Sequence, residues 1–485
     1  MYTWLHLESS TDLEALLREL GPEFGADQVV ARLQDGLSSS VRAILIERDY
    51  IDKDYRSTYY SFYAKKGQSY RKDCVRLHLF DETVTFDADS LKLGPHSHGE
   101  LSNHYFGYMV LRPTGIATIG RTVLSPSVRT GATGSIITGK YKIHLLGYEL
   151  HIQGFPSMDQ HADISVCAHA ACWSILRHYS QRYALYREHL TYDITLMAHQ
   201  FDPGGLVPAQ GLQMSQAERV FQEAGTYPIH LARSGPSDPA FYRQLIAYVE
   251  SGFPLFAAMH GRRHAIAVIG YHFCTLVQEA TGPVSSAWDL TKSLVVVDDN
   301  FLPYLMVGAG TGSEYTPSDI DSFLVPLPEK IFYPAEAVDE LGPTIDLFGA
   351  YMGGLPDRAT AILRYFITTG SAYRKFVRDH ASEFDPKLMQ VIMELPFAQF
   401  VWLVEIATAE DWDRGQVSVR AILDATASVR EPFPFWLIHN RSHALVFNRQ
   451  TVGDDVSGMR ILDLAGMEHT AFSRMEQNLR PVHSR

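Results

Sequence analysis

One stretch near the middle of the chain, residues 168–183, constrains the fold more than any other. It contains no glycine or proline, and small or apolar residues occupy most of its first turns. A helix with so little polar surface has to be enclosed by other elements. The sequence therefore predicts a substantially buried helix, and a chain of 485 residues is long enough to supply the surrounding layers.

The segments around this helix have other residue patterns. Upstream, capping residues and helix-spaced leucines predict two short helices between residues 10 and 35, and β-branched and aromatic runs predict a strand-rich region over 41–155. Downstream, predicted helices (215–225 and 239–251) precede three apolar runs that suit buried strands (255–260, 265–271 and 294–299). The last third predicts helices over 363–380 and 386–394 and strands near 397–407 and 435–447. These patterns together indicate the α+β class.

The charge balance and the hydropathy pattern exclude several function classes. Lys and Arg number 42 against 55 Asp and Glu, which gives a formal charge of −13. Nucleic acid is not an expected partner, because phosphate-backbone binding normally requires a basic face. The chain shows neither a signal-peptide pattern at its start nor the run of about 18 apolar residues that a membrane-spanning helix needs. We therefore expect a cytoplasmic protein with no membrane partner.

The four cysteines, Cys74, Cys167, Cys172 and Cys274, are too few and too irregularly spaced for a disulfide framework. In a reducing compartment such thiols remain available as nucleophiles. Cys167 stands at the start of the predicted buried helix, where unpaired backbone N–H groups and the helix dipole favour the thiolate. Cys172 would be buried more than one turn into the same helix, so the sequence favours Cys167 as the nucleophile.

Gln160, Cys167, His264 and the pair Asp298-Asp299 occur in the order that nucleophilic catalysis by a thiol uses. An imidazole pairs with the thiolate and protonates the leaving group, and a carboxylate orients the imidazole. A side-chain amide upstream of the thiol, together with a backbone N–H, stabilises the oxyanion. If Asp298 and Asp299 alternate across a strand, only one of them faces the histidine. The sequence slightly favours Asp299 and leaves Asp298 open, with Asn300 as a weaker third choice.

These residues lie in motifs that resemble the papain-like cysteine peptidases, most closely the bacterial double-glycine leader peptidases. The motifs are Gln160, then after six residues Cys167-Ala-His-Ala-Ala-Cys-Trp-Ser-Ile-Leu-Arg-His-Tyr, then Ile246-Ala-Tyr-Val-Glu-Ser-Gly-Phe-Pro-Leu, His264-Ala-Ile-Ala-Val-Ile-Gly-Tyr and Val296-Val-Asp-Asp-Asn. The resemblance covers residues 155–305, roughly a third of the chain. The leader-peptide substrate does not follow from it, because no transporter membrane segment or nucleotide-binding motif accompanies these motifs.

The resemblance implies a papain-like core over residues 151–335, in which the catalytic helix packs on an antiparallel sheet. A strand-rich α+β region (1–150) would precede this core, and a mixed helical and strand region (336–485) would follow it. The implied activity is that of a bacterial cysteine hydrolase of the peptidase or isopeptidase type, with Cys167, His264 and an Asp as the triad and Gln160 as the oxyanion donor. Its expected partner is a protein or peptide substrate, with an activating protein as a further candidate, and no cofactor or metal is expected.

Two other functions are compatible with the sequence. The interval between Gln160 and Cys167 is one residue longer than in the family, which would suit an inactive papain-fold scaffold. Transglutaminase-like acyltransferases use Cys, His and Asp in the same chain order. Reactivity toward an electrophile separates the scaffold from both enzymes, and amine incorporation separates the acyltransferase from the hydrolase.

Two further motifs are interpreted as structural. His96, His98 and His104 lie in a Gly-, Pro- and Ser-containing loop without an obvious third-ligand spacing, so solvated loop histidines are favoured over a metal site. Ser442-His443-Ala-Leu-Val-Phe has the pattern of the catalytic histidine strand, but no thiol motif precedes it in the C-terminal region. The sequence therefore predicts a core strand there.

Overall fold

The computed structural model describes residues 2–8, 10–81, 84–94, 97–161, 166–198, 212–235, 237–352, 360–449, 458–464, 471–475 and 478–482. Within these residues the protein is a mixed α+β fold, as predicted, and the strands of its three large sheets pair antiparallel. No helix in the described ranges is both long and apolar enough to cross a membrane.

The N-terminal region is built on a seven-stranded sheet with the order β1-β2-β3-β6-β7-β10-β9. Its helices are α1 (Ala15–Glu19), α2 (Ala26–Gly36), α3 (Lys53–Ser61) and α4 (His98–Asn103), and its strands are β1 (Tyr2–His6), β2 (Ala43–Tyr50), β3 (Cys74–Phe80), β4 (Thr85–Asp87), β5 (Lys92–Gly94), β6 (Tyr105–Leu111), β7 (Ile119–Leu124), β8 (Ser135–Ile136), β9 (Gly139–Leu145) and β10 (Tyr148–Ser157). The two helices predicted before residue 36 are present as α1 and α2.

The central region carries a second sheet with the strand order β11-β16-β12-β13-β14-β15. Its helices are α5 (Cys167–Arg182), α6 (Thr191–Met197), α7 (Met214–Glu223) and α8 (Pro239–Glu250), and its strands are β11 (Tyr227–Ala232), β12 (Leu255–Met259), β13 (His264–Phe273), β14 (Thr291–Val297), β15 (Leu305–Gly308) and β16 (Ser322–Leu327). Helix α5 is the predicted buried helix, and it packs against β13 in the middle of this sheet.

The C-terminal region has a third sheet, in the order β17-β18-β20-β21-β22-β23. Its helices are α9 (Ala335–Glu340), α10 (Gly342–Met352), α11 (Gly370–Asp379), α12 (Pro386–Glu394) and α13 (Ala409–Asp413), and its strands are β17 (Ile362–Thr369), β18 (Phe400–Ala407), β19 (Gln416–Val417), β20 (Val419–Asp424), β21 (Phe435–His439), β22 (His443–Val446), β23 (Arg460–Asp463), β24 (Phe472–Ser473) and β25 (Arg480–Pro481).

The helix predicted over 363–380 is wrong in its first half. Residues there form β17, and helix α11 begins only at Gly370. The β-branched and aromatic residues of β17 pair with β18 along its whole length, and such side chains pack well on a pleated surface. The Thr369 hydroxyl accepts a hydrogen bond from the Ala372 N–H and so caps the start of α11. The prediction merged a strand and a helix that meet at this cap.

A continuous hydrophobic core joins the three regions. The predicted boundary at residue 150 falls within β10, and β25 at the C-terminal end pairs with β8, which itself pairs with β13. Buried ion pairs also link the central and C-terminal regions. The Arg364 guanidinium lies 3.0 Å from Glu250 Oε1 and 2.6 Å from Glu405 Oε2. The division into three domains stays a prediction.

Candidate active site

Cys167 is the first residue of helix α5 and is partly exposed at a cleft. Val166 before it has an extended backbone, and its N–H donates to the ring Nδ1 of His169 at 3.2 Å. This bond fixes the direction in which the chain enters the helix. The backbone N–H groups of His169 and Ala170 donate to the Val166 carbonyl. Cys167 therefore lies at the N-terminal end of the helix, where the helix dipole has its positive end.

His264 is the first residue of β13, and its side chain lines the same cleft as Cys167, close enough for the two groups to interact electrostatically. A single 3-10 turn, His260–Arg262, comes before it, and Arg263 closes that turn in the left-handed region at φ 54°. The chain then reverses into β13, where His264 pairs with Met259. The start of the strand thus holds the imidazole beside the helix terminus.

The Asp298 carboxylate makes the direct contact with the imidazole. Its Oδ2 lies 2.9 Å from His264 Nε2 and accepts the Tyr315 hydroxyl at 2.7 Å. Its Oδ1 accepts two hydrogen bonds from Asn300, from the backbone N–H at 2.8 Å and from the side-chain amide at 3.2 Å. With Nε2 bound to Asp298, the other ring nitrogen, Nδ1, remains for the thiol.

Asp299, which the sequence favoured as the orienting acid, lies further from the ring. Its Oδ1 is 3.9 Å from His264 Nε2, and neither carboxylate oxygen has a hydrogen-bond partner within the described residues. Strand β14 ends at Val297, so the two acids lie beyond the pleated strand and do not have to alternate. The geometry therefore replaces the preference for Asp299 with Asp298.

The electrostatics of these groups follow from burial and from their mutual contacts. Burial lowers the pKa of His264, but the hydrogen bonds and charges of Asp298 and Cys167 outweigh it and raise this pKa to about 10. Burial raises the pKa of Asp298, yet the His264 contact and the other hydrogen bonds bring it below its usual value. Burial and the neighbouring Asp298 charge raise the pKa of Asp299 to about 7. At neutral pH the histidine is therefore held as an imidazolium beside the thiol and the Asp298 carboxylate.

Gln160 lines the same cleft as Cys167, His264 and Asp299. Its backbone carbonyl accepts a hydrogen bond from Arg112 at 3.2 Å, and the same guanidinium nitrogen binds the Asp159 carbonyl at 3.2 Å. Arg112 is fully buried, just beyond β6. The segment that carries the predicted oxyanion donor is thus attached to the N-terminal sheet.

The cleft has a volume of about 590 Å³. Gln160, Cys167, His264 and Asp299 all line it. The other lining side chains are largely apolar, among them Leu212, Met214, Phe256 and Met259, and the polar rim includes His260 and Arg263. An apolar cleft with a few convergent polar groups is the usual form of a binding site.

His264, Asp298 and Asp299 also form a cluster of the type that can hold a metal ion, since one ligand atom from each lies within 4.8 Å of the others. Asp298 uses both of its oxygens in the hydrogen bonds to His264, Tyr315 and Asn300. Metal binding would have to displace some of these bonds. The hydrogen-bonding pattern favours an acid that orients a histidine.

The remaining motifs lie outside this cleft. Cys172 is fully buried, and burial raises the pKa of its thiol, so it is a core residue. His104 Nδ1 lies 2.6 Å from Asp81 Oδ2, whereas His96 and the side chain of His98 fall outside the described residues. His443 begins β22, in which Ala444 and Leu445 are buried as predicted for a core strand.

The sequence analysis missed Tyr315, which lies 17 residues beyond Asp298 and donates to its carboxylate. No motif surrounds this tyrosine, because its position depends on the fold of the connection between β15 and β16. Comparison of the chain with protein-family models, with curated proteins and with solved structures finds no significant match.

Proposed function

We propose that this protein is a cysteine-nucleophile hydrolase with a papain-like core, and that it cleaves amide bonds of a protein or peptide. The observation that carries the proposal is that Cys167 and His264 lie together at an apolar cleft, with Asp298 Oδ2 2.9 Å from His264 Nε2. A thiol, an imidazole and a carboxylate in this order are the groups that nucleophilic acyl transfer requires.

In the proposed reaction the Cys167 sulfur attacks the substrate carbonyl carbon and forms a tetrahedral intermediate. The backbone N–H of Cys167 and the Gln160 amide stabilise its oxyanion. The C–N bond then breaks, His264 gives its proton to the departing amine, and a thioester remains on Cys167. A water molecule loses a proton to His264 and attacks the thioester. The C–S bond breaks, and the carboxylic acid product leaves the regenerated thiolate–imidazolium pair.

The test is the pH dependence of iodoacetamide alkylation, mapped by peptide mass spectrometry on the full chain. At pH 6 an ordinary thiol, with a pKa of about 8.5, is almost entirely protonated and unreactive. We expect selective modification of Cys167 at pH 6, and loss of this low-pH reaction in His264→Ala. The matched control is His260→Ala, because His260 is an exposed histidine that lines the same cleft and has no role in the proposed reaction.

Equal low-pH reactivity in wild type and His264→Ala would contradict the thiolate–imidazolium pair. An inert Cys167 in wild type would favour the scaffold function. Once reactivity is established, the hydrolase and the acyltransferase are separated by incubation with a digest of denatured casein and a fluorescent primary amine. New amino termini without amine incorporation support the hydrolase, and amine incorporation supports the acyltransferase.

A further inference from the structure

Helix α2 of the N-terminal region reaches the candidate active site through Arg32. Its Nη1 nitrogen donates to Asp159 Oδ1 at 2.9 Å and to the backbone carbonyl of Asp299 at 3.2 Å. Asp159 comes directly before Gln160, and Asp299 directly follows Asp298. One guanidinium nitrogen therefore joins the segment of the oxyanion donor to the loop of the orienting acid, and both segments line the cleft.

Two further hydrogen bonds attach the loop that follows Asp298 to the N-terminal region. The Arg129 guanidinium donates to the Leu302 carbonyl at 2.8 Å, and the Tyr304 hydroxyl donates to the Leu124 carbonyl at 2.5 Å. Tyr304 is fully buried. The loop that follows Asp298 is thus fastened along its length to residues outside the predicted papain-like core.

Arg32 also supplies the positive charge that pairs with the Asp159 carboxylate. The Asp159 side chain is 9% exposed, and its negative charge acts on the nearby Asp299. A buried carboxylate that loses its cation is costly and tends to move or to take up a proton. Removal of Arg32 would therefore release the Asp299 carbonyl and leave Asp159 without its ion pair at the same time.

We infer that Arg32 is a positioning residue of the active site, which sets the Gln160 segment and the Asp298 loop relative to Cys167. The N-terminal region is thereby part of the active site rather than only a separate recognition region. This inference rests on the proposed cysteine chemistry.

The test compares Arg32→Gln with Arg48→Gln in the full chain. Arg48 is a matched control, because it also binds one backbone carbonyl and one carboxylate, both of Glu19, and is similarly exposed. The readout is the rate of Cys167 alkylation by iodoacetamide from pH 5.5 to 9. A displacement of about 1 Å in an active site can cost up to about a hundredfold in rate. We expect the alkylation rate of Cys167 at pH 6 to be about tenfold lower in Arg32→Gln than in wild type. In Arg48→Gln this rate should stay within about twofold of wild type.

Arg32→Lys separates positioning from folding. Both Arg32 contacts come from a single nitrogen, so a lysine ammonium can replace them in part, and we expect partial recovery of the pH 6 rate. Equal rates in Arg32→Gln and Arg48→Gln would overturn the inference. If Arg32→Gln does not fold, Asp159→Asn removes the other partner of the same ion pair. An unchanged Cys167 alkylation rate at pH 6 in Asp159→Asn would also overturn the inference. Absence of the pH 6 reaction in wild type would instead refute the proposed function.

Discussion

The stability of this protein should depend on pH through Asp299, and Asp299→Asn should remove that dependence. The wild-type carboxyl is buried next to the Asp298 carboxylate, without a hydrogen-bond partner within the described residues, and its pKa is raised from 3.8 to about 7. A raised carboxyl pKa means that the folded state holds the proton more tightly than the unfolded state. The free energy of unfolding therefore falls as pH rises from about 4 to about 7. Asparagine has the same shape and carries no charge.

The magnitude follows from the size of the shift. A difference of about three pKa units, at about 1.4 kcal/mol per unit, lowers the free energy of unfolding by about 4 kcal/mol. The whole of this penalty is present above about pH 7. At pH 5 the unfolded-state carboxyl is already largely ionised, so roughly 1.5 kcal/mol of the penalty is present there. We therefore expect the stability advantage of Asp299→Asn over wild type to grow by about 2–3 kcal/mol between pH 5 and pH 8.5.

The assay is urea unfolding of both proteins at several pH values, followed by tryptophan fluorescence. Asp298→Asn is the control, because it should change the free energy of unfolding in the opposite direction and destabilise the protein. The folded-state pKa of Asp298 is lowered, so its carboxylate stabilises the protein above the unfolded pKa, and this contribution is lost as pH falls through the folded pKa. A stability difference between wild type and Asp299→Asn that is the same at pH 5 and pH 8.5 would refute the reasoning.

Two further variants test other contacts. Tyr315→Phe removes the hydroxyl that binds Asp298 at 2.7 Å, so we expect urea unfolding to show a loss of about 1 kcal/mol in unfolding free energy. An unchanged unfolding free energy would show that this hydrogen bond makes no net contribution to stability. Arg364→Met leaves Glu250 and Glu405 buried without their shared cation and should cost about 3–5 kcal/mol in urea unfolding. The control, Arg414→Met, breaks an exposed helical pair with Glu410 and should change stability by less than about 0.5 kcal/mol.

Local patterns were sufficient to predict several elements of the fold. Helix α5 lies where the residues without glycine or proline predicted it, because the same small and apolar side chains that favour helix also require burial. The apolar runs of the central region form β12, β13 and β14 as predicted. The segment before Gly370 was predicted wrongly, since a short apolar run suits either a helix or a buried strand until its pairing partner, here β18, is known.

In the candidate site, too, some residues could be predicted from local patterns and others could not. The sequence by itself predicted Cys167, His264, the Asp pair and Gln160 as a site, because thiol chemistry limits which residue types can work together and in which local contexts. Only the tertiary structure shows that Asp298 rather than Asp299 makes the short contact with His264, and only it reveals the contacts of Tyr315 and Arg32. Arg32 lies 127 residues from Asp159, and a contact over such a separation leaves no local pattern. It exists because helix α2 lies next to the loops that carry Asp159 and Asp299, and this placement depends on how the whole chain buries its apolar surface.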